Sequence, residues 1–187
     1  FFMGAATSDP GPFFYPIAYL FRITPATTLG LIAAALAAWR RWTPLDRPLV
    51  RRTEGALLLF TVLFMLFMTI PAKKFDRYIL GAFYTGEVLA ALGWAAMAAG
   101  AVTWWNRRRA RSGKAPSASG LWLGFGVLAI GLVPLHSLLT ALYYPYYLTY
   151  FNPLMGGSVT APKVMFVGWG EGLDAASVRD ASGSSLP

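Results

Sequence analysis

The stretch ILGAFYTGEVLAALGWAAMAAGAVTWW, residues Ile79–Trp105, decides the fold. It carries one charged side chain, Glu87, in 27 residues. As a helix rising ~1.5 Å per residue it is longer than the ~30 Å of a bilayer's hydrocarbon. Three further apolar runs lie on either side of it, at Phe13–Trp39, Gly55–Ile70 and Leu121–Leu142. Four such runs in 187 residues leave too little polar surface for an ordinary water-soluble domain. The composition agrees, with 56% hydrophobic and 13% charged residues and a mean hydropathy of +0.51. These features predict an all-α, polytopic transmembrane helix bundle with about four spans over residues 13–142. An external loop at 1–12 precedes it, and an external aromatic loop and polar tail at 143–187 follow.

The net charge of +8 is not spread evenly. Arg40, Arg41, Arg47, Arg51 and Arg52 crowd one gap, and Arg107, Arg108, Arg109, Arg111 and Lys114 crowd another. Cationic gaps between spans face the cytoplasm. The chain therefore begins and ends outside, with Pro71–Arg77 external, as a multi-pass protein of the cell membrane. Basic residues beside spans do not make the basic face that nucleic acid requires, so no nucleic-acid partner is expected. The absence of cysteine excludes disulfides and thiolate sites, and the lone His136 excludes a multi-histidine centre. No metal and no tightly bound cofactor are expected. The opening Phe1-Phe2, without a signal peptide, reads as the start of a piece whose N-terminal half is missing.

Arg22 and Pro25 interrupt the first run. Either one helix kinks near Pro25, or an interfacial helix over Phe13–Phe21 precedes a span at Thr24–Trp39. The second fits better, because Arg22 is then near the headgroups. The second span is short unless its helix starts near Pro48, with Arg51 and Arg52 snorkelling. Small residues such as Ala90, Gly93, Ala96 and Gly124 predict close helix packing. A flexible linker is expected at Ser117–Ser119, and a short helix from about Glu171.

The sharpest candidate site is Pro71-Ala72-Lys73-Lys74-Phe75-Asp76-Arg77-Tyr78. Cations at an outer helix end run against the charge rule and need a reason. A lipid phosphate at headgroup depth supplies one, since arginine binds it through a fork and lysine as a point charge. Ordinary snorkelling, with Asp76 pairing Arg77 or Lys73, supplies another. Glu87, about ten residues into its span, is costly there and marks either a cavity or a hydrogen bond between helices. The segment Tyr143–Pro153 reads as an interfacial aromatic belt closing in an Asn-Pro turn, or as rings that stack on a sugar. His136 reads as a hydrogen-bonding residue between helices. Gly168–Gly172 is a weak phosphate-loop pattern with a glutamate inside it.

Several strings together resemble the later membrane helices of bacterial family 39 glycosyltransferases, the protein mannosyltransferase and aminoarabinose transferase-like group. They are Asp9–Pro16, Phe21–Pro25, Lys73–Leu80, Tyr146–Gly157 and Gly168–Asp174. The resemblance implies a GT-C architecture and transfer of a sugar from a polyprenyl-phosphate carrier to an acceptor on the outer face. The acceptor is a protein, a glycan or a lipid. It implies that Lys73, Lys74, Arg77 and Tyr78 meet the carrier phosphate. It places the catalytic carboxylate in an earlier external loop, leaving Glu87 a secondary candidate and the catalytic residues of this chain unknown. The piece alone is then expected to be inactive. Gly81 stands where the family often has proline, and the tail after Ala176 turns small and polar where the family continues as a helix. A transporter or flippase, or a non-catalytic membrane subunit, is the alternative; the first would call for repeated halves, and none is visible.

Overall fold

The computed structural model describes residues 2–4, 9–40, 48–113, 115, 120–144 and 147–165. The expected linker at Ser117–Ser119, the Gly168–Gly172 pattern and the helix from Glu171 lie outside the described residues.

The first apolar run is two helices. α1 spans Phe14–Arg22 and ends at Ile23, which is extended. Pro25 opens α2 (Pro25–Arg40), where its missing N–H costs nothing. Thr24 caps α2, its Oγ1 accepting from Thr27 N at 3.1 Å. The two helices meet at a bend of 114°. A break, rather than a gentle kink, is therefore what Arg22 and Pro25 signal. α3 (Pro48–Met68) begins at the proline that the short apolar run called for. A 3-10 turn, Asp76–Ile79, leads into α4 (Leu80–Arg111). α5 covers Gly120–Ala141. Two further 3-10 turns, Tyr147–Thr149 and Pro153–Met155, precede α6 (Gly157–Val164), a helix that the sequence patterning did not indicate. The described residues hold no strand, only an isolated bridge between Phe2 and Met165.

α4 is the central post, with α2, α3 and α5 packed on it. Glycine sets the α2–α4 crossing. A Cβ on Gly93 would fall 1.9 Å from the Gly30 carbonyl oxygen, so the two backbones touch. Trp94 Nε1 donates to Ala26 O at 3.0 Å beside this contact. Thr61 and Thr85 hydroxyls, 2.6 Å apart, tie α3 to α4. Such a bond is typically worth about 0.5–1.5 kcal/mol.

The densest core sits at one end. Phe14, Tyr15, Ala18, Tyr19 and Phe21 of α1 bury against Ile79 and Ala82 and against Phe151, Ala161 and Met165 of the tail. Asn152, 1% exposed, is the polar rivet of this end. Its N–H donates to Phe21 O at 2.7 Å. Its Nδ2 donates to Leu20 O at 3.1 Å and to Thr28 Oγ1 at 3.2 Å. These bonds satisfy carbonyls that the end of α1 would otherwise leave bare.

One helical run, Asp76–Arg111, is long and apolar enough to cross a membrane. The bent pair α1 and α2 meets the same measure only when taken together. In α3 the charged Arg51, Arg52 and Glu54 leave Gly55–Met68 as the apolar part, about 21 Å long at ~1.5 Å per residue. In α5 the stretch Leu128–Ala141 is a shorter apolar helix.

Candidate functional site

The break between α1 and α2 does more than turn the chain. It leaves Arg22 at the last turn of α1, a favourable end for a cation. Arg22 Nε donates to Asp76 Oδ2 at 2.5 Å, and Nη1 donates to Tyr150 O at 3.0 Å. The guanidinium also lies 4.3 Å from the Phe151 ring centre. Two distant segments, at Asp76 and at Tyr150-Phe151, thus converge on one side chain. The expected partners of Asp76, Lys73 or Arg77, are corrected to Arg22. Asp76 Oδ1 is taken by the backbone N–H of Arg77, at 2.9 Å.

Beside this pair lies a cavity of about 510 Å³, lined by Arg22, Ile23, Asp76, Arg77, Leu80, Phe83, Glu87, Tyr147 and Tyr150. Its volume falls within the range of small-molecule sites. Its walls are mostly apolar, and its polar groups are two guanidinium and two carboxyl groups. Glu87 lines it as an exposed residue and accepts from Thr27 Oγ1 at 2.8 Å, so it both faces the cavity and binds a neighbouring helix. Arg77 is exposed, with its guanidinium 4.9 Å from the Phe75 ring centre and 5.6 Å from that of Tyr78. Tyr150 forms a wall. Burial, with Tyr143 nearby, pushes its hydroxyl up to about 12, so it is neutral at any ordinary pH. That hydroxyl is buried with no partner among the described residues.

The structure divides the basic string that looks continuous in sequence. Phe75 is extended and the turn at Asp76 redirects the chain, so neighbouring cations part company. Lys74 is fully buried at its side chain and bonded to Asp9 Oδ1. That bond, helped by the Gly11 N–H at 2.9 Å, holds the Asp9 carboxyl below its ordinary value. Lys73 is exposed and does not line the cavity. Of the cluster's cations only Arg77 lines it. Tyr78 is 38% exposed beside it. Asp76 of the basic string and Tyr147 and Tyr150 of the aromatic segment line the cavity too; Arg22, read from sequence as a charge near the headgroups, joins them there. The signal for Arg22 was present: an arginine in an apolar run next to a helix-breaking proline.

His136 lines a separate cavity of about 190 Å³ with Thr24, Thr140 and Tyr143; Tyr147 and Tyr150 form the partition between the two. Among the described residues no three His, Asp or Glu side chains come together as metal ligands do.

The chain matches no protein-family model, no curated protein and no solved structure. Two guanidinium groups can hold an anion, two carboxylates can accept from hydroxyls or take a proton, and tyrosine rings can cover a sugar face.

Proposed function

We propose that this chain is a membrane portion of a glycosyltransferase that takes a sugar from polyprenyl phosphate and passes it to an acceptor outside. In this proposal α2, α3, α4 and α5 cross the bilayer, α1 lies at its outer surface, and the 510 Å³ cavity opens outward. The observation that carries it is the placement of Arg77, the Arg22–Asp76 pair and Glu87 around one apolar-walled cavity at a helix end. A phosphate at headgroup depth meets Arg77 there, and the prenyl chain runs down between helices. The resemblance of the Lys73–Leu80 and Tyr146–Gly157 strings to family 39 glycosyltransferases supports the same chemistry.

The reaction is displacement at the anomeric carbon. The bond from that carbon to the phosphate oxygen breaks, and a bond to the acceptor oxygen forms. Negative charge grows on the departing phosphate, where Arg77 stabilises it. The acceptor's proton goes to a carboxylate. The resemblance assigns that base to an earlier loop, and Glu87 is the carboxylate in this cavity that is not ion-paired to Arg22.

Binding of polyprenyl phosphate in nanodiscs tests the proposal. Arg77→Ala should weaken it at least about tenfold, the loss of one charge-assisted contact. Arg109→Ala, on the opposite end of α4, should leave it unchanged. Equal effects would reduce Arg77 to generic surface charge. A transporter remains the alternative that the α1–α2 break favours, since broken helices mark carriers. It would need a second such break in a repeated half, and the described residues show one.

A further inference from the structure

Glu87 has two sides. On one it lines the larger cavity with Arg22, Asp76 and Arg77. On the other its Oε1 accepts from Thr27 Oγ1 at 2.8 Å. Thr27 is 3% exposed, so this contact is shut away from solvent. The Thr27 hydroxyl lies 2.8 Å from the Thr24 hydroxyl. Thr24 in turn lines the smaller cavity, beside His136, Thr140 and Tyr143. Two steps of 2.8 Å thus join a carboxylate in one cavity to the wall of the other. The start of α2 brings this about. Capping makes Thr24 Oγ1 accept from Thr27 N, which sets the two side chains together. The cap uses one lone pair of Thr24 and leaves its hydrogen free to donate.

The chain of hydroxyls works in either direction. With Glu87 ionised, Thr27 donates to it and Thr24 donates to Thr27. A hydroxyl hydrogen rotates to suit its neighbours. With Glu87 protonated, the carboxyl donates to Thr27, Thr27 to Thr24, and Thr24 into the smaller cavity. Each oxygen stays satisfied in both arrangements. The groups around Glu87 on its other side are poor takers of a proton. Arg22 and Arg77 stay charged, and Asp76 is bonded to Arg22. Burial, with Glu87 nearby, pushes the Tyr19 hydroxyl of α1 up to about 12, and Tyr150 stands equally high. Tyr147 completes that wall as an exposed phenol.

We propose that Thr27 and Thr24 are a proton relay that discharges Glu87 into the smaller cavity while substrates fill the larger one. The need is physical, because a bound donor and acceptor cover the face through which Glu87 otherwise meets solvent. The step balances. Glu87 takes the proton of the acceptor hydroxyl and gives it to Thr27 oxygen. The Thr27 hydrogen passes to Thr24, and the Thr24 hydrogen passes to solvent in the cavity that the exposed His136 borders. No electrons change hands. The inference rests on Glu87 acting as a base in the transfer proposed above. Thr27 and Thr24 act through Glu87 and are positioning residues.

The test reads the Glu87 carboxyl itself, in the full chain in nanodiscs, by infrared spectroscopy after a pH jump. The band is assigned by its loss in Glu87→Gln. The larger cavity is closed in two ways, by polyprenyl phosphate or by Leu80→Trp, which sets a bigger ring among its lining residues. With the cavity open, wild type and relay variants should titrate at the same rate, because Glu87 is exposed. With it closed, wild type should keep its rate, and Thr27→Val, which keeps the shape without the hydroxyl, should slow at least about tenfold. Thr27→Ser restores the hydroxyl and should restore the rate. Thr24→Asn keeps a good cap but has no hydroxyl to hand a proton on, so it should slow like Thr27→Val, whereas Thr24→Ser should not. A merely structural role predicts that Thr24→Asn behaves as wild type. Equal rates in wild type, Thr27→Val and Thr24→Asn with the cavity closed overturn the proposal. So does a carboxyl band that Glu87→Gln leaves unchanged, since Glu87 would then take up no proton. Slowing under Leu80→Trp but not under polyprenyl phosphate supports the relay and counts against the lipid assigned to the cavity.

Discussion

Arg22 Nε and Asp76 Oδ2 lie 2.5 Å apart although 54 residues separate them in sequence. Both side chains are largely shielded, 13% and 14% exposed. The pair closes the corner made by α1, the turn before α4 and the tail. Arg22→Gln or Asp76→Asn should each cost about 1.5–3 kcal/mol, the range for a hydrogen bond to a charged group. The double variant should cost less than the sum, because each single change already leaves the other partner stranded. Unfolding in detergent micelles measures all three, and strict additivity would mean that the pair is incidental.

Asn152 should be harder to replace than its loop position suggests. Asn152→Ala removes the donor to Leu20 O and Thr28 Oγ1 and the acceptor for Leu154 N. We expect a loss of about 1–3 kcal/mol, the cost of leaving a buried polar group unsatisfied. Asn152→Asp keeps the acceptor, loses the donor and sets a negative charge against a carbonyl, so it should be no better than alanine. Thermal unfolding of the two variants checks the order.

Glycines in α4 and α5 should divide by what surrounds them. Gly93→Ala drives a methyl into the Gly30 backbone and should cost about 1–3 kcal/mol or more by overpacking. Gly86→Ala meets Tyr19 Oη at 1.7 Å, a buried ring stacked on Phe83 rather than a backbone, and should be destabilising but less so than Gly93→Ala. Gly126→Ala has nothing within 4 Å of the new carbon and should be neutral or slightly stabilising. A reversed order in melting temperature would contradict the α2–α4 contact.

The Asp9–Lys74 bond should give an acid-sensitive tether. The Asp9 carboxyl is held below its ordinary 3.8, chiefly by the Lys74 hydrogen bond and then by the Gly11 N–H. A carboxyl lowered in the folded state contributes stability above its unfolded value and loses it as pH falls through the folded one. Wild type should therefore exceed Asp9→Asn in stability at neutral pH, with the gap closing below about 3.8. A gap that widens in acid would reverse the sign of this linkage.

Topology can be tested cleanly because the chain has no cysteine. An impermeant maleimide added outside intact cells should label Lys73→Cys and spare Arg111→Cys. Both positions are exposed, so access rather than burial decides. Position 74 would be a poor reporter, since Lys74 is buried. Labelling at 111 and not at 73 would invert the membrane orientation, and the outward cavity with it.

Helices were the legible part. Apolar runs, Pro25, Pro48 and the arginine clusters marked α2 to α5 closely, since hydrophobicity and proline act locally. Asn152 was read as a turn residue, and so it is, with its side chain capping the Pro153–Met155 turn. Its grip on Leu20 and Phe21 is a tertiary contact that no local pattern encodes. The same holds for the contact between Arg22 and Asp76, which the sequence placed in two separate strings. The Lys73–Arg77 string misled in a different way. Adjacency in sequence looked like adjacency in space, yet an extended residue and a tight turn send Lys74 inward and Arg77 to the cavity. α6 was missed because Pro162 within it and the Gly156-Gly157 pair at its start disguise so short a helix.

The rivet at Asn152 sets a clock on synthesis. Leu20 O waits for a donor 132 residues downstream. At ~5–20 residues per second the ribosome needs roughly 7–26 s to supply it. Through that interval the α1 end must borrow water or lipid headgroups as partners. The corner around Arg22 can therefore lock only after α1 to α5 have all been made, so the site matures late in synthesis.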